Sequence, residues 1–228
     1  MRLSAFARDK HLLLAKMLTT KTVNDFIDEV ASSSPAPGGG SVAALAGALG
    51  AALTAMVSNL TIGKKKYLSV QGEMKSMLKQ SETLYASFAK LIDDDAEAFN
   101  TVMTAFNLPK ETEEEKTKRS EAIQQATKNA TKVPLHVMQL CEQALALTQA
   151  AAEKGNVNSI SDAGVAALML HAACLGAKLN VQINLGSLKD SPFVEETTTL
   201  TETLSKHVEA MSRDILKRVS ESLSPVHS

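Results

Sequence analysis

The feature that most constrains this chain is a window without charged residues from Ala31 to Gly63, which contains the run Pro-Ala-Pro-Gly-Gly-Gly at positions 35–40. Two prolines and three glycines together cannot propagate a helix, so residues 34–41 are predicted to form a loop. From Ser41 to Leu60 the chain is rich in Ala, Gly and Leu, which predicts a helix that is apolar on every side. Such a helix either crosses a membrane or lies buried in a helical bundle. We favour the bundle, because much of the apolarity comes from Ala and polar side chains flank the segment.

The composition favours an all-α fold. The 228 residues include no Trp, two Tyr and six Phe, whereas sheets are usually rich in aromatic and β-branched side chains. We therefore predict an orthogonal or antiparallel bundle of five to seven helices, several of them long. One domain over residues 18–228, preceded by an extension over residues 1–17, fits this length.

Further helices follow from apolar spacing and capping residues. Apolar residues at alternating steps of three and four predict one long helix over 69–106. Thr112 and Glu115 form a capping box for the next helix, which is expected to kink or restart at Pro134. Residues 163–185 carry Lys178 as their one charge at neutral pH and predict a second helix buried almost all round.

Charge and cysteine content exclude several classes of partner. A formal net charge of −1 gives no positive field for nucleic acid or acidic lipid. Cys141 and Cys174 form no CxxC pair, and the five histidines show no metal-ligand spacing, so no metal site is expected. The first 20 residues lack a signal-peptide pattern, which favours the cytoplasm. A mitochondrial transit segment is the alternative for this weakly amphipathic stretch.

The glycine-rich loop can serve either of two purposes. It opens a helix, so free backbone N–H groups and the positive end of the helix dipole favour a ligand anion there. No strand precedes it and no Lys-Ser/Thr follows the glycines, which excludes an ordinary nucleotide loop. The alternative is a tight turn with Ser41 as the helix cap.

The candidate acid/base residues in the long helix are Asp93 and Asp95. Asp95 lies four residues after Leu91 and four before Phe99, so it falls on the apolar seam of the helix, whereas Asp93 projects to another face. A carboxyl group among apolar side chains has a raised pKa and can hold and return a proton near neutral pH. The alternative is a buried Asp that satisfies a helix end.

Two amides and a basic run complete the set of candidates. Asn180 and Asn184 are one turn apart on a largely apolar helix, where they either bind the edge of a heterocycle or satisfy neighbouring backbone groups. The lysines at positions 64–66 follow the charge-free helix and either bind an acidic tail or form a solvated end.

These segments, in this order, resemble the cyclodeaminase/cyclohydrolase family, which comprises the C-terminal domain of formiminotransferase-cyclodeaminase and free-standing bacterial methenyltetrahydrofolate cyclohydrolases. The likeness covers roughly residues 18–194. It is carried by residues 34–45, 60–67, 93–99, 108–110, 133–135, 155–156 with 161–162, and 180–185.

The resemblance implies a dimerising helical bundle with a folate groove near the glycine loop, and no cofactor beyond the tetrahydrofolate substrate, which can carry a polyglutamate tail. It implies that Asp93 or Asp95 is the acid/base, and the apolar seam favours Asp95. The positions that it implies for substrate binding are Pro37, Gly38, Gly39, Gly40, Ser41, Lys64, Asn156, Asp162, Asn180 and Asn184.

Three functional hypotheses follow. The first is a formiminotetrahydrofolate cyclodeaminase, which releases ammonia from 5-formiminotetrahydrofolate to form the 5,10-methenyl compound. The second is a 5,10-methenyltetrahydrofolate cyclohydrolase, which adds water to give 10-formyltetrahydrofolate. The third, from another class, is a non-catalytic helical oligomerisation module, which predicts no folate binding and tolerance of Asp95→Asn.

Overall fold

A computed structural model describes residues 17–224, and this part of the chain contains six α-helices and no β-strand. The all-α prediction and the expected number of helices are confirmed. The extension over residues 1–17 and the transit-segment alternative lie largely outside the described residues, and the single-domain assignment stays a prediction. The helices are α1 (Val23–Val30), α2 (Gly39–Thr61), α3 (Gln71–Phe106), α4 (Glu113–Lys154), α5 (Ile160–Leu185) and α6 (Ser191–Leu223).

Local sequence signals explain where two of the helices, α1 and α4, begin. The Thr22 side chain accepts a hydrogen bond from the Asp25 N–H, and the predicted Thr112–Glu115 capping box closes the start of α4. Of the two outcomes predicted at Pro134, a kink or a restart, the restart is wrong, because α4 runs through that residue without interruption, and the kink stays a prediction. Pro134 is buried in the bundle, and the packing around it outweighs the loss of one backbone donor.

The helices α2 to α6 alternate in direction and form an antiparallel bundle around a shared hydrophobic core. Small residues let α2 approach two of its neighbours, α3 and α5, closely. A Cβ on Gly47 would lie 2.5 Å from the Phe88 ring of α3, and one on Gly50 would lie 2.7 Å from the Leu170 side chain of α5. Only glycine fits at these two crossings. The core thus fixes the start of α2 beside the middle of α3 and the end of α5.

The predictions that α2 is buried in the bundle on every side and that α5 is buried almost all round are wrong for the single subunit. Each has the length and apolarity of a membrane span, but 56% and 44% of the two apolar windows are buried inside the bundle. One stripe on each helix stays exposed, with Val42, Leu49, Met56 and Leu60 on α2 and Leu168, Leu175, Leu179 and Ile183 on α5. Composition shows that a helix lacks charge, whereas the number of neighbours decides how many of its faces are covered.

Candidate functional site

The centre of the site is the carboxyl group of Asp95, which lies against the first turn of α2. The Ser41 hydroxyl lies 2.9 Å from Asp95 Oδ2 and 3.0 Å from the Ile92 carbonyl, and it can donate to either acceptor. Burial raises the pKa of Asp95, and hydrogen bonds from the side chain and backbone of Ser41 offset part of that rise. Asp95 therefore lies on the apolar seam, as its spacing predicts. The upward direction of its pKa shift is the one expected of a carboxyl group that transfers protons.

Gly40 lets Asp95 approach the backbone of α2. A Cβ at this position would overlap the carboxylate, lying 2.6 Å from Asp95 Cγ. The helix begins at Gly39 with Gly38 in the N-cap position, so Ser41 lies inside the first turn. The alternative that Ser41 is the cap is therefore wrong. Its hydroxyl is directed to α3 because the glycines bring α2 into contact with that helix.

A cavity of about 300 Å³ opens beside this contact. Asn180 and Asn184 of α5 lie in its wall, and the Asn180 Nδ2 donates to the Gly176 carbonyl, so its amide is held in one orientation. The structure thus brings both amides, the three glycines and Asp95 together, as predicted. The apolar part of the wall includes Phe99, one turn beyond Asp95 on the seam, and Ile183 between the two amides.

A second cavity, of about 620 Å³, lies on the other side of the loop. Pro37 and Asp93 line it, together with two further carboxylates, Glu29 and Glu97. Asp93 accepts hydrogen bonds from the Leu18 N–H at 2.6 Å and the Thr19 hydroxyl at 2.9 Å. This pair of contacts ties the segment before α1 to α3. Asp93 and Asp95 therefore face different cavities, and the apolar spacing of the sequence separates them correctly.

Three of the predicted binding residues lie elsewhere in the subunit. Lys64 and Asn156 lie at the opposite end of α2 from Gly39. The helix has 23 residues, so at the usual rise per residue its two ends are about 34 Å apart. Asp162 lies in the first turn of α5, at the same end as Lys64 and Asn156. The Asn156 N–H donates to Thr61 Oγ1 at 2.8 Å, and its Nδ2 donates to the Leu60 carbonyl at 3.0 Å. Within one subunit, the expectation of a single site containing all of these residues is therefore wrong.

Sequence reasoning missed the apolar walls of both cavities. Phe99 could have been included, because it lies on the same face of α3 as Asp95. Ile183 and Leu18 carried no such signal, since only the packing of α5 and of the segment before α1 brings them here. No cluster of three or more His, Cys, Asp or Glu side chains with metal-binding geometry occurs between residues 17 and 224.

Comparison with known proteins relates this site to one family. The formiminotransferase-cyclodeaminase family model matches residues 22–203. A methenyltetrahydrofolate cyclohydrolase of Methylorubrum extorquens is 46% identical over 208 residues, which is 91% of this chain and 100% of that protein. The formimidoyltransferase-cyclodeaminase of Rattus norvegicus is 38% identical over 180 residues, 79% of this chain, and the match spans only 33% of the rat protein.

A solved structure agrees with the sequence matches. The crystal structure of formiminotetrahydrofolate cyclodeaminase from Thermotoga maritima has a TM-score of 0.81 to this chain at 31% identity, covering 90% of this chain and 98% of that one. The family model spans both the glycine loop and Asp95, and the structural likeness extends over the whole bundle. The resemblance predicted from the sequence is confirmed, and the chain belongs to the formiminotransferase-cyclodeaminase family of enzymes.

Proposed function

We propose that this protein hydrolyses 5,10-methenyltetrahydrofolate to 10-formyltetrahydrofolate, with Asp95 as the group that moves protons. The observation that carries the proposal is the partly buried Asp95 carboxyl group, whose pKa is raised by burial, in the wall of a cavity beside a helix N-terminus. The choice of hydrolysis rests on the 46% identity to a cyclohydrolase over that protein's full length, against 31% and 38% for the two matches named for cyclodeaminase.

The reaction needs one group that both accepts and returns a proton. The ionised Asp95 offsets the cationic methenyl bridge and takes a proton from water as the water oxygen bonds to the bridge carbon. The same carboxyl group then gives that proton to N5 as the bond between the carbon and N5 breaks. The hydroxyl proton is released to solvent as the formyl C=O forms on N10.

The surrounding residues would position the substrate. Asn180 and Asn184 offer amide donors and acceptors suited to the polar edge of a pterin ring, and Phe99 offers an apolar wall. The fixed Asn180 amide needs no reorganisation on binding, because its Nδ2 already donates to Gly176. These roles, the homodimer and the cytoplasmic localisation are expectations that accompany the proposal.

The second candidate is the cyclodeaminase reaction, which the likeness to the Thermotoga maritima enzyme favours. N10 would attack the formimino carbon, and Asp95 would accept the N10 proton and deliver it to the departing ammonia. The third hypothesis, a non-catalytic module, lacks support, since the relatives in this comparison are named as enzymes.

Steady-state absorbance assays with both folates test these alternatives. We expect the wild type to hydrolyse the methenyl compound and Asp95→Asn to lose that activity. Turnover of the formimino compound alone would replace the proposal with the second candidate. An inactive wild type with both substrates, or a fully active Asp95→Asn, would overturn the assignment of Asp95 chemistry altogether.

A further inference from the structure

The turn between α5 and α6 comes directly after the part of α5 that lines the Asp95 cavity. Asn184 is the last but one residue of α5, and its side chain lies in the cavity wall. Residues 186–190, which we call the α5–α6 turn, follow at once, and α6 begins at Ser191. Leu188 is half-buried, whereas the other residues of the turn are exposed. The position of the turn therefore depends on a few specific contacts.

The two amides of the cavity wall are held in different ways. The Asn180 Nδ2 donates to the Gly176 carbonyl at 2.9 Å, which ties that side chain to its own helix. Within residues 17–224, the Asn184 side chain makes no hydrogen bond. Asn184 also lies in the last helical turn, where backbone carbonyl groups have no partner inside the helix. The place of the Asn184 amide in the cavity therefore depends on how firmly the end of α5 is held.

Gln124 of α4 forms two hydrogen bonds with the α5–α6 turn. Its Nε2 donates to the Ser187 carbonyl at 2.9 Å, and its Oε1 accepts from the Lys189 N–H at 2.8 Å. Because the donor and the acceptor of one planar amide are both used, the contact fixes the orientation of the turn as well as its distance. The helix α4 packs against α5 in the core, so Gln124 attaches the turn to a rigid part of the bundle.

A continuous series of hydrogen bonds connects Gln124 to the backbone of Asn184. The Ser187 N–H and the Ser187 hydroxyl both donate to the Asn184 carbonyl, at 3.2 Å and 3.0 Å. The carbonyl of the same Ser187 accepts from Gln124. Ser187 therefore closes the last turn of α5, and Gln124 holds Ser187 in place.

Lys128, one turn after Gln124 on α4, holds the other end of the same turn. Its ammonium group pairs with Asp190 and lies 4.8 Å from the centre of the Phe193 ring. Asp190 in turn caps α6, because its side chain accepts from the Phe193 N–H at 3.2 Å. Lys128 thus fixes the start of α6, whereas Gln124 fixes the end of α5 that lines the cavity.

We propose that Gln124 is a positioning residue for the folate reaction, which holds the end of α5 through Ser187 so that the Asn184 amide meets the polar edge of the pterin ring. This inference rests on the proposed function, and it concerns binding of the substrate and not proton transfer. Gln124 is not among the residues that line the Asp95 cavity. Its loss should therefore weaken substrate binding and leave the chemistry of Asp95 unchanged.

The variants Gln124→Met and Gln124→Glu test this role. Met is close to Gln in size but makes neither hydrogen bond, whereas Glu keeps an acceptor for the Lys189 N–H and loses the donor to Ser187. We expect KM for 5,10-methenyltetrahydrofolate to rise about tenfold in Gln124→Met, with kcat within about twofold of wild type. The rise should be smaller in Gln124→Glu. The acidic limb of the pH profile of kcat should stay in place in both variants, because Asp95 keeps its surroundings.

Gln125→Met is the matched control. Gln125 is the exposed neighbour of Gln124, and its amide bonds to Asn129 of the same helix. Its KM should stay within about twofold of wild type. Melting curves of all three variants detect unfolding, and if Gln124→Met does not fold, Gln124→Glu supplies the comparison. An unchanged KM at position 124, a fall in kcat instead, or an equal rise in Gln125→Met would overturn the proposal.

A double-mutant cycle shows whether Gln124 acts through Asn184. Asn184→Ala alone should raise KM, and the addition of Gln124→Met should raise KM no further, because the amide to be positioned is already absent. A residue with a merely structural role would have the same effect in both backgrounds. Two increases in KM that multiply would therefore overturn the proposal.

Hydrogen exchange tests the contact without any substrate. Lys189 is exposed, yet its N–H is bonded to Gln124, so this amide should exchange slowly in the wild type and in Gln125→Met. In Gln124→Met it should exchange at close to the rate of an unprotected amide. Fast exchange in the wild type, or protection that survives in Gln124→Met, would overturn the proposal.

If the wild type turns over neither folate, the proposed function fails, while the exchange of the Lys189 amide still decides whether Gln124 holds the turn. If turnover is observed and KM is unchanged in Gln124→Met, the positioning role is wrong and the proposed function stands.

Discussion

The two ends of α2 belong to one charge-free helix, yet they use their polar groups in opposite ways. At the glycine end, residues 35–41 with Asp95, a carboxyl group faces a cavity and bonds only to Ser41. At the lysine end, residues 61–66 with Asn156, the polar groups around the helix terminus bond to one another.

The lysine end shows how a helix terminus is closed. Thr61 donates to the Val57 carbonyl and accepts from the Asn156 N–H, while Gln71 accepts from the Gly63 N–H at 2.7 Å. Among the described residues, none of the buried side-chain polar atoms that lack a hydrogen-bond partner lies at this end, and the lysines face solvent. Under the proposed function, the chemistry depends on a titratable group, Asp95, whose hydrogen-bonding capacity the packing leaves partly unused. Substitutions at the two ends should therefore have different consequences.

Asp95→Asn should have the largest effect on turnover. We expect kcat to fall by about 10² to 10⁴, because general acid–base catalysis contributes on that order. Burial raises the pKa of Asp95 in the folded protein above its ordinary value of 3.8. Above the raised pKa the buried carboxylate is ionised, which lowers the free energy of unfolding. This destabilisation disappears as the pH falls toward 3.8, because the carboxyl group is then protonated in both the folded and the unfolded state. The variant should therefore melt at an equal or higher temperature than wild type at pH 7, with the difference shrinking in acid. A variant that unfolds instead would show that the carboxylate serves mainly to hold α2.

Gly40→Ala should reduce kcat/KM by about 10- to 100-fold, since the added methyl group overlaps the carboxylate and a small misplacement of a catalytic group is costly. Gly72→Ala is a matched control, because a Cβ there meets no atom within 4 Å. Kinetics of both variants, with melting curves, measure the effect. Equal activities would show that the glycine end tolerates displacement of Asp95.

Ser41→Ala should lower kcat by roughly tenfold and move the acidic limb of the pH profile to higher pH. The hydrogen bond from the Ser41 hydroxyl lowers the pKa of Asp95, so its loss raises that pKa further and a more alkaline solution is needed to ionise the carboxyl group. The pH dependence of kcat/KM measures this shift. A limb that stays in place or moves to lower pH would exclude Ser41 as a positioning residue for Asp95.

Asp93→Asn should cost only a severalfold loss of kcat/KM. Asn retains an acceptor for the Leu18 N–H, but the charge that strengthens this hydrogen bond is lost, and the segment before α1 is held less firmly. The test is to measure kcat/KM for Asp93→Asn and Asp95→Asn under the same conditions and to compare the two losses. A loss at Asp93 as large as that at Asp95 would reverse the assignment of the two aspartates.

Thr61→Val should have the smallest effect on turnover and act on stability instead. It leaves the buried Asn156 N–H without its acceptor, at a cost of about 1–3 kcal/mol, which corresponds to roughly 2–4 °C in Tm per kcal/mol for a chain of this size. Calorimetry and kinetics distinguish the two effects. If kcat fell with no change in Tm, the lysine end would take part in the chemistry of its own subunit.

Several features of the fold could be predicted from local sequence because they depend on local interactions. The capping box at Thr112 and Glu115 and the apolar spacing around Asp95 each involve residues within one or two helical turns. The local sequence left open whether α4 kinks or restarts at Pro134, because the packing around a buried proline comes from other helices and can override its local preference.

The sequence by itself determined the helical class, the family, and which aspartate lies on the apolar seam, since periodicity and motif order are properties of the chain alone. Only the tertiary structure decided which of the candidate site residues lie close together in space. It placed Asn180 beside Gly39 and separated Lys64 from both, because the antiparallel packing of α2 and α5 brings the start of one helix to the end of the other. It also decided that α2 and α5 keep an exposed stripe, since coverage of a helix depends on how many neighbours the fold provides and not on the helix's own residues.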